Sequence, residues 1–213
     1  TKEIEDRRIE VEQLSLQMVI ALGGTIDAKD KYTNGHSIRV AKYSKEIAFR
    51  LGLNEKDQEN VYYAALLHDI GKIGIPDEII NKTSSLNNEE YALIKKHPTI
   101  GADILKNISL MPEIEIGAKW HHERYDGKGY PDGLKETEIP LVARIIGVAD
   151  AYDAMTSNRS YRKAFPQNVI RAEIEKGKGT QFAPDIADIM LEIIDEDKEY
   201  QLREFNNQIP TIP

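Results

Sequence analysis

Apolar residues recur along this chain at helical spacing, and no stretch alternates in the way a strand requires. Ile4, Val11 and Met18 stand seven apart, with Leu14 and Ala21 in the offset register and Arg7 interrupting it, the pattern of a short coiled coil. This first stretch reads either as an amphipathic helix packing on its own domain or as a signalling helix descending from an upstream sensor. It is expected to end or kink at Gly23-Gly24. A second helical pattern runs from Ile26 to Leu51, broken at Asn34-Gly35 just before His36 and stopped by Gly52. An apolar run, Val61 to Leu67, then leads straight into His68-Asp69. Farther on, Asn87 with Glu90 forms a capping box that opens a helix, and Tyr91, Ile94 and His97 share a face; with Pro98 next, His97 closes this helix or begins another. Ile114 to His122, Leu141 to Ala149 and Pro184 to Ile194 complete the helical set, while Asp126 to Gly133 and Gly177-Lys178-Gly179 are loops by composition. The expected fold class is therefore all-α, with a linker or signalling helix over 1–24, a helical domain over 25–205 and a tail over 206–213.

Composition narrows the chemistry. The 213 residues, 40% of them apolar, suffice for one sizeable core. With no cysteine there is neither a disulfide framework nor a thiolate ligand, so any metal must be held by nitrogen and oxygen. A net charge of -8 argues against a nucleic-acid polymer as the main partner. A local group of metals and arginines can still attract a small anion. No apolar stretch approaches the length of a membrane span, so the segment is expected to be cytoplasmic, and its start at Thr1 suggests a piece of something longer.

The chemistry gathers around the histidines. All five, His36, His68, His97, His121 and His122, sit on or at the end of helix-like segments, and Asp150 closes the apolar run from Leu141 to Ala149. Imidazole and carboxylate are ligands for borderline divalent ions, and the second oxygen of a carboxylate can bridge to another ion. Seven candidate ligands with a bridging Asp69 suit two ions in a helical bundle. Adjacent helical residues point about 100° apart. His121 and His122 must therefore approach from different directions or from a helix end.

His68-Asp69-Ile70-Gly71-Lys72, followed by His121-His122-Glu123-Arg124-Tyr125-Asp126-Gly127-Lys128-Gly129-Tyr130-Pro131, resembles the HD-GYP family, a branch of the HD metal-dependent phosphohydrolases. The likeness continues through Ala149 to Thr156, Arg159-Ser160-Tyr161-Arg162 and Gly179 to Phe182, and covers roughly Tyr32 to Ile194. The resemblance implies an HD-type helical bundle. It makes metal ligands of His36, His68, Asp69, His97, His121, His122 and Asp150, and catalytic groups of Asp69 and Lys72. Some members carry a glutamate four residues before the first histidine that recruits a third ion; Tyr32 stands there in this chain, so two ions are expected. Iron or manganese suits the ligand set, with zinc or nickel as alternatives.

By the same resemblance the substrate is the bacterial second messenger cyclic di-GMP, opened to pGpG, with onward cleavage to GMP left open. Two ions can activate a water and neutralise charge at phosphorus. Arg159 and Arg162 are expected to clamp phosphate bidentately, and Tyr130 to offer a platform for a guanine. Asp153 is placed with these substrate-binding residues. The expected partners are cyclic di-GMP, an upstream sensor domain and a second copy of the chain through the first helix. Two rivals stand beside this reading: another HD-type nucleotide phosphohydrolase, and a module that senses cyclic di-GMP or metal redox state with little turnover.

Overall fold

A computed structural model of the chain describes residues 2–30, 35–157 and 164–197. Ten α-helices lie among them: α1 (Lys2–Lys29), α2 (His36–Arg50), α3 (Glu55–Leu66), α4 (Asp77–Ile80), α5 (Asn88–Ile94), α6 (His97–Leu105), α7 (Pro112–Trp120), α8 (Leu141–Thr156), α9 (Gln167–Gly177) and α10 (Pro184–Glu196). Two short 3-10 turns, Ile70–Gly74 and Glu136–Glu138, link them. The only β pairing among the described residues is a single bridge between Lys178 and Phe182. The expected all-α class is what forms. No helix among the described residues is long and apolar enough to cross a membrane.

The core lies between α2, α3, α8 and α10, where apolar positions at helical spacing face inward. Ile47, Ala64, Ile145, Ile146, Ile186 and Met190 are buried there. Tyr43 of α2 meets Tyr152 of α8 edge to face at 5.0 Å, a favoured aromatic geometry. Gly52, at φ 77°, occupies the left-handed region just beyond α2, where a glycine ends a helix without strain.

The first helix departs from the sequence expectation. It neither ends nor kinks at Gly23-Gly24 but continues unbroken to Lys29, so a boundary at residue 24 falls inside it. Packing supplies the reason. A Cβ on Gly23 would stand 2.9 Å from the Leu66 carbonyl oxygen, so the glycine permits close approach of α1 to the end of α3. Beyond that contact α1 belongs to the domain. Asp27 accepts hydrogen bonds from the Ser37 amide (3.1 Å) and hydroxyl (2.7 Å), serving α2's first turn from another helix. Lys29 Nζ donates to the Ile73 carbonyl at 2.8 Å. The N-terminal part differs: Ile4, Val11, Leu14, Met18 and Leu22 are all exposed.

Candidate metal centre

Helix ends, not helix faces, deliver most of the site. His36 opens α2 and His97 opens α6, with Pro98 next to it in the first turn, so the question left by Pro98 resolves in favour of a new helix. The capping box of Asn87 and Glu90 forms as expected at the start of α5. His121 and His122 lie just past the end of α7. His68-Asp69 follows α3, where the 3-10 turn Ile70–Gly74 replaces a continued α-helix. That turn is wedged against α6: a Cβ on Gly71 would fall 1.9 Å from the His97 carbonyl oxygen. Only glycine allows this approach, and it brings Asp69 beside His97.

Asp69 stands in the middle. Its Oδ1 is 3.2 Å from His97 Nε2 and 3.8 Å from His121 Nε2. Its Oδ2 is 3.4 Å from His68 Nε2 and 3.6 Å from His36 Nε2. Asp150 Oδ1 is 3.4 Å from His36 Nε2, and His122 joins the group on the Oδ1 side. Six of the seven residues named from the sequence thus fall in two clusters that share Asp69, and the seventh, Asp150, stands beside His36.

Four of the imidazoles are oriented by their other nitrogen. His68 Nδ1–H donates to the Ala65 carbonyl at 2.7 Å, His97 Nδ1–H to that of Ile94 at 2.8 Å, and His121 Nδ1–H to those of Gly117 and Ala118 at 3.0 Å. His36 Nδ1–H donates to the Asp153 carboxylate at 2.8 Å. Each carbonyl bond fixes a tautomer whose Nε2 lone pair is aimed into the cluster, and the Asp153 bond sets the orientation of the His36 ring. Within the cluster His36 and His68 bring their Nε2 atoms to 3.3 Å of each other, as do His97 and His121. Facing acceptors at that distance, with carboxylate oxygens beside them, are the donor set of a divalent cation. The residues therefore fit divalent metal.

The electrostatics agree. Burial favours neutral Asp69, yet the Lys72 ammonium, with His68 and His36, holds its carboxyl well below the usual carboxylate range. Burial, reinforced by His97, lowers His122 to about 3, which keeps that ring neutral and free to ligate. His36 goes the other way. Burial disfavours its charge, but Asp153 and Asp69 overcome this and raise it to about 10.

The structure corrects the placement of Asp153 among the substrate-binding residues. Its side chain is fully buried and its oxygens are taken by His36 and by Arg39, whose Nε donates at 2.6 Å and Nη2 at 3.0 Å. Those donors hold its carboxyl at about 2 against the opposing effect of burial. Asp153 is a positioning residue for His36, and Arg39 fixes Asp153. We expect Asp153→Asn to weaken metal binding about 10- to 100-fold, with helical content unchanged. Competition against a chelator measures this; an unaltered affinity would make the contact purely structural.

Lys72 places Nζ 2.6 Å from Asp69 Oδ2 and 3.7 Å from Asp30 Oδ2. Tyr130 lines the cavity, and its ring packs on His122 at 4.8 Å between centroids, covering an imidazole of the cluster. Tyr32, Arg159 and Arg162 lie outside the described residues. Ser157, which accepts from Arg39 Nη2 at 3.2 Å, is the last described residue before the arginine segment. The sequence reading missed Arg39, Asp27 and Glu123. Glu123 Oε1 accepts from the Asp132 and Gly133 amides at 2.7 and 3.0 Å and so pins the loop that carries Tyr130. The Arg39-Asp153 pair was legible only as two charges on separate helices. The cluster opens into a cavity of about 520 Å³, within the range of small-molecule sites. The wall opposite the histidines in sequence, residues 75–86, was not singled out either.

Comparison with known proteins agrees with this geometry. A family model described as the HD domain matches residues 23–186. Among curated relatives, a cyclic di-GMP phosphodiesterase of Thermotoga maritima is 39% identical over 206 residues, 95% of this chain and 56% of the relative. The 3'3'-cGAMP-specific phosphodiesterase 2 of Vibrio cholerae is 35% identical over 88% of this chain and 36% of its own length. The cyclic di-GMP phosphodiesterase response regulator RpfG of Xanthomonas campestris is 38% identical over 85% of this chain and 49% of its own length. The chain thus spans about a third to a little over half of these relatives. Among solved structures, the cyclic GMP-AMP specific phosphodiesterase V-cGAP3 of V. cholerae superposes with a TM-score of 0.68 at 22% identity, over 87% of this chain and 50% of that one. An HDGYP protein of Bdellovibrio bacteriovorus, Bd1817, gives 0.63 at 23% identity, over 75% and 51%. These two bear on the fold alone, whereas the family model and the curated relatives reach nearly the whole described domain. The chain belongs to the HD domain family, within its HD-GYP branch.

Proposed function

We propose that this chain is a metal-dependent phosphodiesterase that opens cyclic di-GMP to pGpG in cytoplasmic second-messenger signalling. One observation carries the reading: a single buried carboxylate, Asp69, presents one oxygen to each of two histidine clusters at the bottom of one cavity. Two divalent ions held there, iron or manganese by ligand type, would supply an activated water and neutralise charge at the phosphorus. Asp69 holds the two ligand groups in register, and the carbonyls behind His68, His97 and His121 keep their rings aimed inward. Lys72 places an ammonium beside that carboxylate, where charge on the departing oxygen would develop. The names of the relatives support the substrate, since those proteins act on cyclic di-GMP or on 3'3'-cGAMP.

The test is metal analysis of protein purified without oxygen, paired with turnover on both cyclic dinucleotides. Two ions per chain and pGpG as product are expected, because Tyr32 cannot supply a third ion's carboxylate. Two bound ions with binding but no turnover would favour the sensing reading, and a third fully occupied ion would refute the count.

Arg159 and Arg162 are assigned to a phosphate of the substrate by their spacing. Loss of either should raise KM about 10- to 100-fold with metal content unchanged, since a hydrogen bond to a charged group contributes about 1.5–3 kcal/mol. Unchanged constants in both alanine variants would make the pair a solvated surface run. The exposed heptad residues of α1 suit a second copy of this chain, aligned below an upstream sensor. Sedimentation of the Leu14→Lys/Met18→Lys variant should then show a monomer where the parent is a dimer; equal masses would remove that role.

A further inference from the structure

The wall at 79–86 has chemistry that the metal centre does not use. Residues 82–86 line the same cavity as His36, Asp69 and His122. The segment is tied at both ends. Asn81 Nδ2 donates to the Lys29 carbonyl (3.1 Å) and the Asp77 carbonyl (3.2 Å). Lys82 Nζ donates to both oxygens of Glu90, at 2.7 and 2.6 Å, and Glu90 in turn closes the capping box with Asn87. Between those anchors, the amides and hydroxyls of Thr83, Ser84 and Ser85 and the amide of Leu86 make no hydrogen bond with any described residue. The third hydrogen of the Lys82 ammonium is also uncommitted, since its two bonds go to Glu90. Beside this strip the half-buried side chains of Ile79, Ile80, Leu86 and Ile94 give the cavity an apolar surface.

A strip of donors next to an aliphatic face suits a flat heterocycle that presents acceptors along one edge. Guanine does so with O6 and N7, whereas adenine sets an N6 amino donor where guanine has O6. Amides and lysine can only donate, so they reward the first edge and leave an unmet donor against the second. We propose that Lys82 to Leu86, with Ile79 and Ile80, forms the subsite for a guanine of the cyclic dinucleotide and sets a preference for guanine over adenine. This rests on the cyclic dinucleotide reading above and adds to it which residues choose the base.

The test uses Lys82→Met, which keeps the aliphatic stem, and a Thr83→Val/Ser84→Ala/Ser85→Ala variant, which leaves the Glu90 contacts alone. KM and kcat are measured on cyclic di-GMP, cyclic di-AMP and bis(p-nitrophenyl) phosphate, alongside metal content. The parent should favour cyclic di-GMP over cyclic di-AMP in KM about tenfold or more. In Lys82→Met KM for cyclic di-GMP should rise about tenfold and the ratio narrow; in the hydroxyl variant, whose lost groups both donate and accept, KM for both dinucleotides should rise with the ratio kept, and in neither variant should kcat, metal content or the base-free diester change. The same guanine-to-adenine ratio in the parent and in Lys82→Met overturns the subsite. So does an equal loss on the base-free diester, which would locate the damage at the metals. If the parent turns over no cyclic dinucleotide, the proposed activity fails by itself, and equilibrium binding of the same two dinucleotides decides the subsite. Binding that favours guanine and loses that preference in Lys82→Met sustains it; equal or absent binding overturns it.

Discussion

Asp69→Ala is expected to abolish hydrolysis and to strip the chain of most of its metal, while far-ultraviolet circular dichroism stays that of the parent. Asp69 is the only residue that belongs to both histidine clusters, at 3.2 to 3.8 Å from four imidazole nitrogens. Removing it takes an oxygen from each ligand group at once. It also leaves facing imidazoles and the Lys72 ammonium without the charge that offsets them. A fall in turnover of more than about 1000-fold is expected, since both the metals and the charge stabilisation they provide are lost. The fold should survive, because Asp69 sits in a turn between helices and outside the apolar core of α2, α3, α8 and α10. Wild-type turnover in this variant would sink the two-metal reading, and Asp69→Asn, which keeps the shape, separates charge from volume.

Lys72→Ala should separate chemistry from binding. Its ammonium is 2.6 Å from Asp69 Oδ2, yet the contacts of Asp69 with the four histidines do not pass through it. Metal content should therefore hold, and affinity for cyclic di-GMP should stay within a few fold. Turnover should fall about 100- to 1000-fold, the usual consequence of removing one donor aimed at developing charge. Metal content, binding and rate from one preparation check this together. Loss of metal along with activity would make Lys72 a structural partner of Asp69.

The helices and the candidate ligand types were legible in the chain because both depend on short-range order. Val61 to Leu67 reads as a helix from its own apolar run, and Asn87 with Glu90 caps α5 through a bond spanning three residues. Five histidines at helix ends, with Asp69 and Asp150 after apolar runs, limit the chemistry to nitrogen and oxygen ligands whatever their arrangement. What only the tertiary structure decided depends on contacts between distant residues. Gly23 looked like a stop because glycine disfavours helix locally; packing against the Leu66 carbonyl, 43 positions on, outweighs that cost, so α1 runs into the domain. Asp153, three residues after Asp150 on α8, looked like part of the substrate grip by proximity in sequence. Its partner His36 lies 117 positions away, and only the fold shows that its carboxylate is buried against that imidazole. The same holds for the wall at 79–86. The fold alone sets its serines in one cavity with the metal centre, because a sequence shows which donors exist and only the fold shows which of them bond to the rest of the chain.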